Sequence, residues 1–247
     1  MVNPSISLCM IAKNEESFLE QCLNSVKNIA DEIIIVDTGS TDNTKDIAKK
    51  FDAKVIDFKW QDDFSAARNE SIKHATKDWV LVLDADETVS SEDLGNLKEL
   101  ITDKDCIGYY FIIRTYTDQS TAAGWTSSIG DKYEESKKAS GWFYTRLIRL
   151  FRNNIGIKFE GMVHETVSSS IQGLGLVKEV PFPIHHFGRL KGEKSLEKKE
   201  LYQKLGKLKV EQKNDFHSYC QLGIQCQESG NFEEAIALFK RSIELNP

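Results

Sequence analysis

The chain has 247 residues, 40% hydrophobic and 28% charged, with only four prolines, a composition that excludes a disordered or fibrous protein. A formal net charge of −6 argues against a broad nucleic-acid surface. No apolar run approaches the roughly 18 residues that cross a bilayer, and Met1-Val2-Asn3-Pro4 opens no signal peptide, so the expected place is the cytoplasm and not within a membrane.

Ile6 to Ile11 reads as a short apolar strand that breaks into the polar stretch Ala12-Lys13-Asn14-Glu15-Glu16. Phe18, Leu19, Cys22, Leu23 and Val26 then recur at helical spacing. A second buried strand, Glu32 to Asp37, is broken by Thr38-Gly39-Ser40-Thr41, and a helix follows from about Asp42, with Ser40, Thr41 or Asp42 available as its cap. Ala53 to Phe58 is a third strand, and Phe64 opens a helix that ends near His74. Val80 to Leu83 is apolar at every position and too short for a stable helix, so it reads as a strand buried on both faces. It runs out in Asp84-Ala85-Asp86-Glu87.

Four strands alternating with three helices predict a parallel sheet, because each connection is long enough for a helix and such crossovers are almost always right-handed. Ligands of open sheets of this kind bind at the carboxyl ends of the strands. Asn14, Asp37 and Asp84 to Asp86 all follow strands, so topology alone brings them to one edge. Two carboxylates there suit a divalent cation, since Mg²⁺ and Mn²⁺ take one or two protein carboxylates and complete their shell with a substrate's phosphates. The plainer reading of Asp-Ala-Asp is a polar strand exit. Thr38-Gly39-Ser40-Thr41 has neither the Gly-Lys-Ser/Thr ending of a nucleotide-binding P-loop nor the spacing of a dinucleotide site. The five cysteines are scattered, with no Cys-x-x-Cys, and read as buried reduced thiols rather than a disulfide or zinc framework.

Past Glu87 a helix runs from Ser90 to about Ile101, followed by an expected exposed strand, Tyr109 to Tyr116. Residues 117–143 form a polar loop, either functional or mobile. Further strands are expected at Thr145 to Phe151, Val163 to Ser169 and Leu176 to Phe182, with His185 and His186 just beyond. From Gly192 the lysine, glutamate and leucine pattern is helical, and Tyr219, Leu222, Gly223, Cys226, Ala235, Phe239 and Pro247 resemble one tetratricopeptide repeat turning at Ser229-Gly230-Asn231. One repeat cannot bury its own apolar face, so further repeats and a protein partner for them are expected. The expected division is a catalytic α/β domain over residues 1–190 and a helical segment over 191–247.

Ile11-Ala12-Lys13-Asn14-Glu15-Glu16, Val36 to Thr44, Ala67-Arg68-Asn69 and Leu83-Asp84-Ala85-Asp86 together resemble, in order and spacing, the inverting family 2 glycosyltransferases of GT-A fold. More weakly, Phe151-Arg152, Phe159-Glu160-Gly161, His164-Glu165 and His186 are similar to the branch with tetratricopeptide repeats that includes peptide S-glycosyltransferases. The resemblance implies a mostly parallel GT-A sheet and a nucleotide-sugar donor, expected to be UDP-linked, held by Ala12, Asn14, Glu15, Asp37, Arg68, Asp84, Ala85 and Asp86. It assigns Asp37 to the uracil, Arg68 to the neighbourhood of the base and Asp86 to Mn²⁺ or Mg²⁺. His186 is a candidate for a further metal ligand, since imidazole tolerates Mn²⁺, and a partly buried structural histidine is the alternative. Inverting transfer needs a base for the acceptor's proton. Glu165 is the candidate, with His164 beside it, and Asp118 and Asp131 are next in line. The acceptor, whether peptide, saccharide or lipid-linked, is not specified. A nucleotidyltransferase and a non-catalytic repeat scaffold are the alternatives.

Overall fold

The computed structural model describes residues 4–191 and 196–246. They fall into two compact units. The first comprises residues up to 61, 66–160 and 166–191; the second comprises 62–65, 161–165 and residues from 192 onward. The composition shift near residue 190 gives no sign of the two short segments that group with the helices.

The first unit begins with β1 (Ile6–Ala12), α1 (Leu19–Val26), β2 (Glu32–Asp37), α2 (Thr44–Lys49), β3 (Lys54–Asp57), α3 (Phe64–Lys73, whose first residues group with the second unit) and β4 (Trp79–Val82). The four strands are parallel, in the order β3-β2-β1-β4. β4 is buried at every position because its alternate side chains serve two cores. Trp79 and Leu81 enter one core with Leu8, Met10 and Leu23, and Val80 and Val82 enter another with Cys9, Ile34 and Phe151.

Beyond β4 the chain adds β5 (Glu87–Thr88), α4 (Leu94–Leu100), β6 (Cys106–Thr117), β7 (Thr126–Ser127), β8 (Gly141–Arg152), α5 (Ser168–Ile171) and β9 (Leu176–His186). Here the sheet is mixed. β8 lies antiparallel to β4 and β6, β9 is parallel to β6, and β5 runs antiparallel to β9 at the end of the order β4-β8-β6-β9-β5. The α/β fold class stands; the all-parallel arrangement ends at β4, and beyond it β6 and β9 form the one parallel pair among the described strands.

Three expectations are corrected. The strand expected to be exposed at Tyr109–Tyr116 is longer and mostly buried, because β8 and β9 flank it on both edges. The strand expected at Val163–Ser169 is absent: a bend closed by a bridge between Glu160 and Thr166 leads into α5, and His164 takes a positive φ of 52° that an extended strand cannot hold. β9 continues through His185 and His186, so both histidines are ladder residues. The 117–143 loop is anchored at its far end, where Tyr133 is buried and Asp131 pairs with Arg114 at 2.7 Å.

The second unit contains α6 (Leu196–Lys213), α7 (Phe216–Glu228) and α8 (Phe232–Leu245). Asp215 caps α7 by accepting from the Ser218 amide at 2.8 Å, and Gly230 makes the turn into α8 with φ of 78°, a conformation open to glycine without a Cβ penalty. Leu222, Cys226 and Ala235 form a small core with Val210, Leu238 and Phe239. Phe232, Ile236 and Ile243 of α8 stay exposed. Gly192 and Pro247, which entered the expected helix and repeat, lie outside the described residues.

Gly223 lets α7 approach α8, since a Cβ there would come within 2.7 Å of the Phe239 ring. Alanine favours a helix by about 1 kcal/mol over glycine, whereas overpacking costs about 1–3 kcal/mol. Gly223→Ala is therefore expected to lower the stability of the helical unit, read as an earlier loss of helical circular dichroism on heating or in urea; an unchanged or later transition would show that the helices do not pack this closely.

Candidate active site

The polar segments following β1 and β2 are fastened to each other. Asn14, in a left-handed conformation with φ of 56° that asparagine tolerates, accepts from the Thr41 amide at 2.8 Å, and its own amide donates to Ser40 Oγ at 2.9 Å. The Glu15 amide donates to Thr44 Oγ1 at 2.7 Å, and Glu16 Oε2 accepts from Asn43 Nδ2 at 2.7 Å. The cap expectation is corrected: Asn43 precedes α2 and its side chain makes no capping bond, while Asp42, one residue earlier, accepts from the Thr44 amide at 3.0 Å. Ala12 lies opposite Asp37 in the β1–β2 ladder and its carbonyl accepts from the Thr38 amide at 2.9 Å.

Asp37, the last residue of β2, is 1% exposed. Its Oδ1 accepts from the amides of Gly39 at 3.0 Å and Ser40 at 2.9 Å, while its buried Oδ2 has no hydrogen-bond partner. A buried carboxylate oxygen left without a partner costs about 1–3 kcal/mol or more, so it calls for a donor from outside the chain.

At the exit of β4, Asp84 Oδ1 receives Arg68 Nη2 at 2.6 Å and Asp84 Oδ2 receives Arg149 Nη2 at 3.1 Å. Arg149 Nη2 also reaches Glu87 Oε1 at 2.6 Å, and Glu87 Oε2 accepts from the Asp84 amide at 2.9 Å. Partial burial works against the charge on Asp84, but Arg68 and Arg149 hold its carboxyl well below the usual carboxylate range. Burial pushes the Glu87 carboxyl up to about 7, against the opposing pull of Arg149, with the Asp84 charge adding to the rise. Arg68 therefore lies in a buried ion pair, with its guanidinium 5.4 Å from the centre of the Phe159 ring. Its neighbour Asn69 donates to the Phe159 carbonyl at 2.9 Å and accepts from the Phe159 amide at 2.8 Å, which accounts structurally for the asparagine beside Arg68.

Ala85 is buried, and Asp86 lies against His186, with Nε2 to Oδ1 at 3.5 Å. Thr115 Oγ1, 3.0 Å from His186 Nδ1, orients that ring. Gly188 lets the backbone come close to the pair: a Cβ on it would collide with Asp86 Oδ2 and come within 2.7 Å of His186 Nε2. One carboxylate and one oriented imidazole, kept clear by a glycine, fit a divalent cation whose remaining ligands come from a diphosphate. Among the described residues no group of three or more His, Cys, Asp or Glu side chains is placed to hold a metal ion.

Within the second unit, Glu165 is half-buried at the end of the 161–165 bend, and His164 Nε2 lies 3.0 Å from Gln225 Nε2. Lys209 Nζ holds the same bend by donating to the Val163 carbonyl at 2.8 Å. The two reserve candidates already have structural partners, Asp118 the Ser140 amide and Asp131 the Arg114 guanidinium. Glu87 and Arg149 were missed in the sequence, although an arginine inside the apolar run Leu147-Ile148-Arg149-Leu150-Phe151 is the kind of buried charge that needs a partner.

A family model described as Glycosyl transferase family 2 matches residues 7–164, more than half of the chain. A TPR repeat-containing protein of Synechococcus elongatus is 40% identical over 169 residues, 68% of this chain and 37% of that protein. The SPbeta prophage-derived glycosyltransferase SunS of Bacillus subtilis is 31% identical over 198 residues, 79% of this chain and 42% of that protein. The chain thus spans less than half the length of either relative. Among solved structures, S. aureus TarS superposes with a TM-score of 0.54 at 14% identity, covering 90% of this chain and 42% of TarS. TarS 1–349 in complex with UDP-GlcNAc gives a TM-score of 0.51 at 15% identity, covering 90% and 71%. Glucosyl-3-phosphoglycerate synthase of Mycobacterium tuberculosis, in complex with Mn²⁺ and UDP-glucose, gives 0.50 at 16% identity, covering 83% and 78%. At these identities the likeness concerns the fold alone. The acidic motifs at the ends of β2 and β4 and a family pattern running through residues 7–164 lead to one assignment: this chain belongs to glycosyl transferase family 2.

Proposed function

We propose that the protein transfers a sugar from a UDP-linked donor to an acceptor with inversion at the anomeric carbon, with a divalent cation assisting. The observation that carries this reading is that two polar sites follow the two strands that flank β1. The buried Asp37 Oδ2, without a hydrogen-bond partner, ends β2, and the Asp86–His186 pair beside Gly188 follows β4. Only β1 separates β2 from β4. A pyrimidine held at the first would carry its diphosphate toward the second. Asp37 would accept from the uracil, Asn14, Glu15 and Ala12 would shape the wall beside it, and Asp84 and Ala85 would flank the ribose and diphosphate. Asp86 and His186 would hold the cation, Mn²⁺ or Mg²⁺, which when bound supplies positive charge to the diphosphate oxygens. The UDP and UDP-sugar complexes of TarS and of the mycobacterial synthase support the donor class.

In the transfer, the acceptor's nucleophile bonds to the anomeric carbon as the bond to the diphosphate oxygen breaks, UDP departs with the electron pair, and the acceptor's proton passes to a base. Glu165 is our candidate base, with His164 beside it. We read α7 and α8 as a tetratricopeptide-like repeat; the Gly223–Phe239 approach and the repeat-containing Synechococcus relative support this, and the exposed apolar residues of α8 suit a following repeat or a protein partner. Among the described residues no helix is long and apolar enough to cross a membrane, which is compatible with the proposed cytoplasmic location.

Three measurements test the reading. UDP should raise the melting temperature far more with Mn²⁺ or Mg²⁺ than with a chelator, because ligand stabilisation grows as RT ln(1 + [L]/Kd), about 2.7 kcal/mol at a hundredfold excess over Kd. Asp86→Asn should fold yet lose the metal-dependent increment; an equal UDP shift in chelator contradicts the clamp. Asp37→Asn should weaken UDP binding by about 1–3 kcal/mol in calorimetry, since it replaces the orphaned acceptor or its neighbour with an amide donor; unchanged affinity returns Asp37 to a purely turn-forming role. Glu165→Gln should slow transfer by about 10² to 10⁴ with donor affinity unchanged, while an active Glu165→Gln enzyme would remove Glu165 as the base.

A further inference from the structure

We propose that Arg149 is a positioning residue for the donor site, an inference that rests on the donor reading above: it locks the Asp84–Glu87 turn so that Asp86 faces His186. The local backbone is built for this. In the β6–β8 ladder Tyr109 pairs with Leu150 and Tyr110 with Ile148, which leaves Arg149 as an extra residue in β8. A bulge of this kind re-aims one side chain without disturbing the flanking pairs. Here it also resets the alternation, so that Leu147 and Leu150 pack with one core while Ile148 and Phe151 join the other. Strict alternation would have placed residues 147, 149 and 151 on one face.

The bulge lies just past the last β4–β8 pair, Leu81 with Leu150, where the chain leaves β4 for Asp84. From there Arg149 Nη2 reaches both Asp84 Oδ2 and Glu87 Oε1. The turn between those acids is closed twice, by the Glu87 amide donating to the Asp84 carbonyl at 2.9 Å and by the Asp84 amide donating to Glu87 Oε2 at 2.9 Å. Asp86 sits inside it, its carbonyl accepting from the Phe187 amide at 2.9 Å, while Glu87 pairs with His186 in the β5–β9 ladder. Arg68 and Arg149 balance Asp84 and Glu87 in charge. Removing Arg149 leaves the two acids facing each other across the turn that aims Asp86.

A role confined to folding would make the same contacts, and charge restoration separates the two. Arg149→Met is expected to lower both the melting temperature and UDP affinity. Arg149→Met with Glu87→Gln is again neutral and should recover most of the lost melting temperature, because a buried pair replaced as a unit is tolerated far better than one partner removed. Its affinity for UDP in Mn²⁺ should nonetheless stay about 10- to 100-fold below wild type, the usual cost of losing a residue that orients metal ligands. Binding of uridine, which lacks the phosphates that meet the Asp86 site, should fall far less. Arg149→Lys keeps the charge and hence the fold, but an ammonium lacks the planar reach of the guanidinium, so it should show the same selective loss. If the double variant and Arg149→Lys bind UDP with Mn²⁺ as wild type does, Arg149 serves folding alone and the inference is overturned. If wild type itself takes up no UDP with or without Mn²⁺, the donor reading fails, and this inference falls with it.

Discussion

β4 is the strand on which the first unit depends. It is four residues long, buried throughout, and it is the seam at which a parallel half-sheet meets a mixed one. Its burial on both faces leaves only its end free for polar residues, so the first charge after it emerges at the sheet edge where Asp37 also lies. Trp79 secures the other end through its Nε1 donation to the Ile101 carbonyl at 3.1 Å and the Arg152 guanidinium over its ring at 4.5 Å. A strand held in this way cannot slip by one residue, because a slip would exchange its two cores and re-aim the acids that follow it.

The second constraint is electrostatic. A half-buried carboxylate, Asp84, and a buried one, Glu87, are brought together, and the pair would be costly to ionise without partners. Arg68 arrives from a helix and Arg149 from a strand, so the acids are neutralised from opposite sides. Such a network adds little net stability over apolar packing, since desolvation consumes much of the attraction. What it provides is direction. Asp86, next to Glu87 in the turn, faces His186 beside Gly188. The Gly39 and Ser40 amides, in the loop after β2, do the same for Asp37, fixing one of its oxygens and leaving the other bare.

Much of this was legible in the chain itself. The parallel strands, their helices and the position of each motif at a strand end follow from local patterns, because an apolar run ended by acids or glycine declares both its burial and its exit. Asn14, Asp37, Asp84 and Asp86 could therefore be placed at one edge before any coordinates, and four motifs in fixed order pointed to the family. The helical hairpin was legible for the same reason: Gly223, Ala235 and Phe239 are sized for a close helix pair.

The tertiary structure decided what depends on register and on distant partners. Whether an arginine in β8 points to a core or to an acid turns on one extra residue in a ladder, and no local periodicity encodes that bulge. Tyr109–Tyr116 looked exposed because its edges are covered only by strands from later in the chain. Val163–Ser169 has strand-like composition, yet its positive φ at His164 and the Glu160–Thr166 bridge make it a bend. The pairing of Asp86 with His186 joins residues a hundred positions apart through β5 and β9, a contact set by sheet topology and invisible to spacing. The sequence by itself determined which residues could do chemistry and at which strand ends they stand; only the folded sheet decided which of them face one another, because that choice is made by long-range pairing and one irregularity in a ladder.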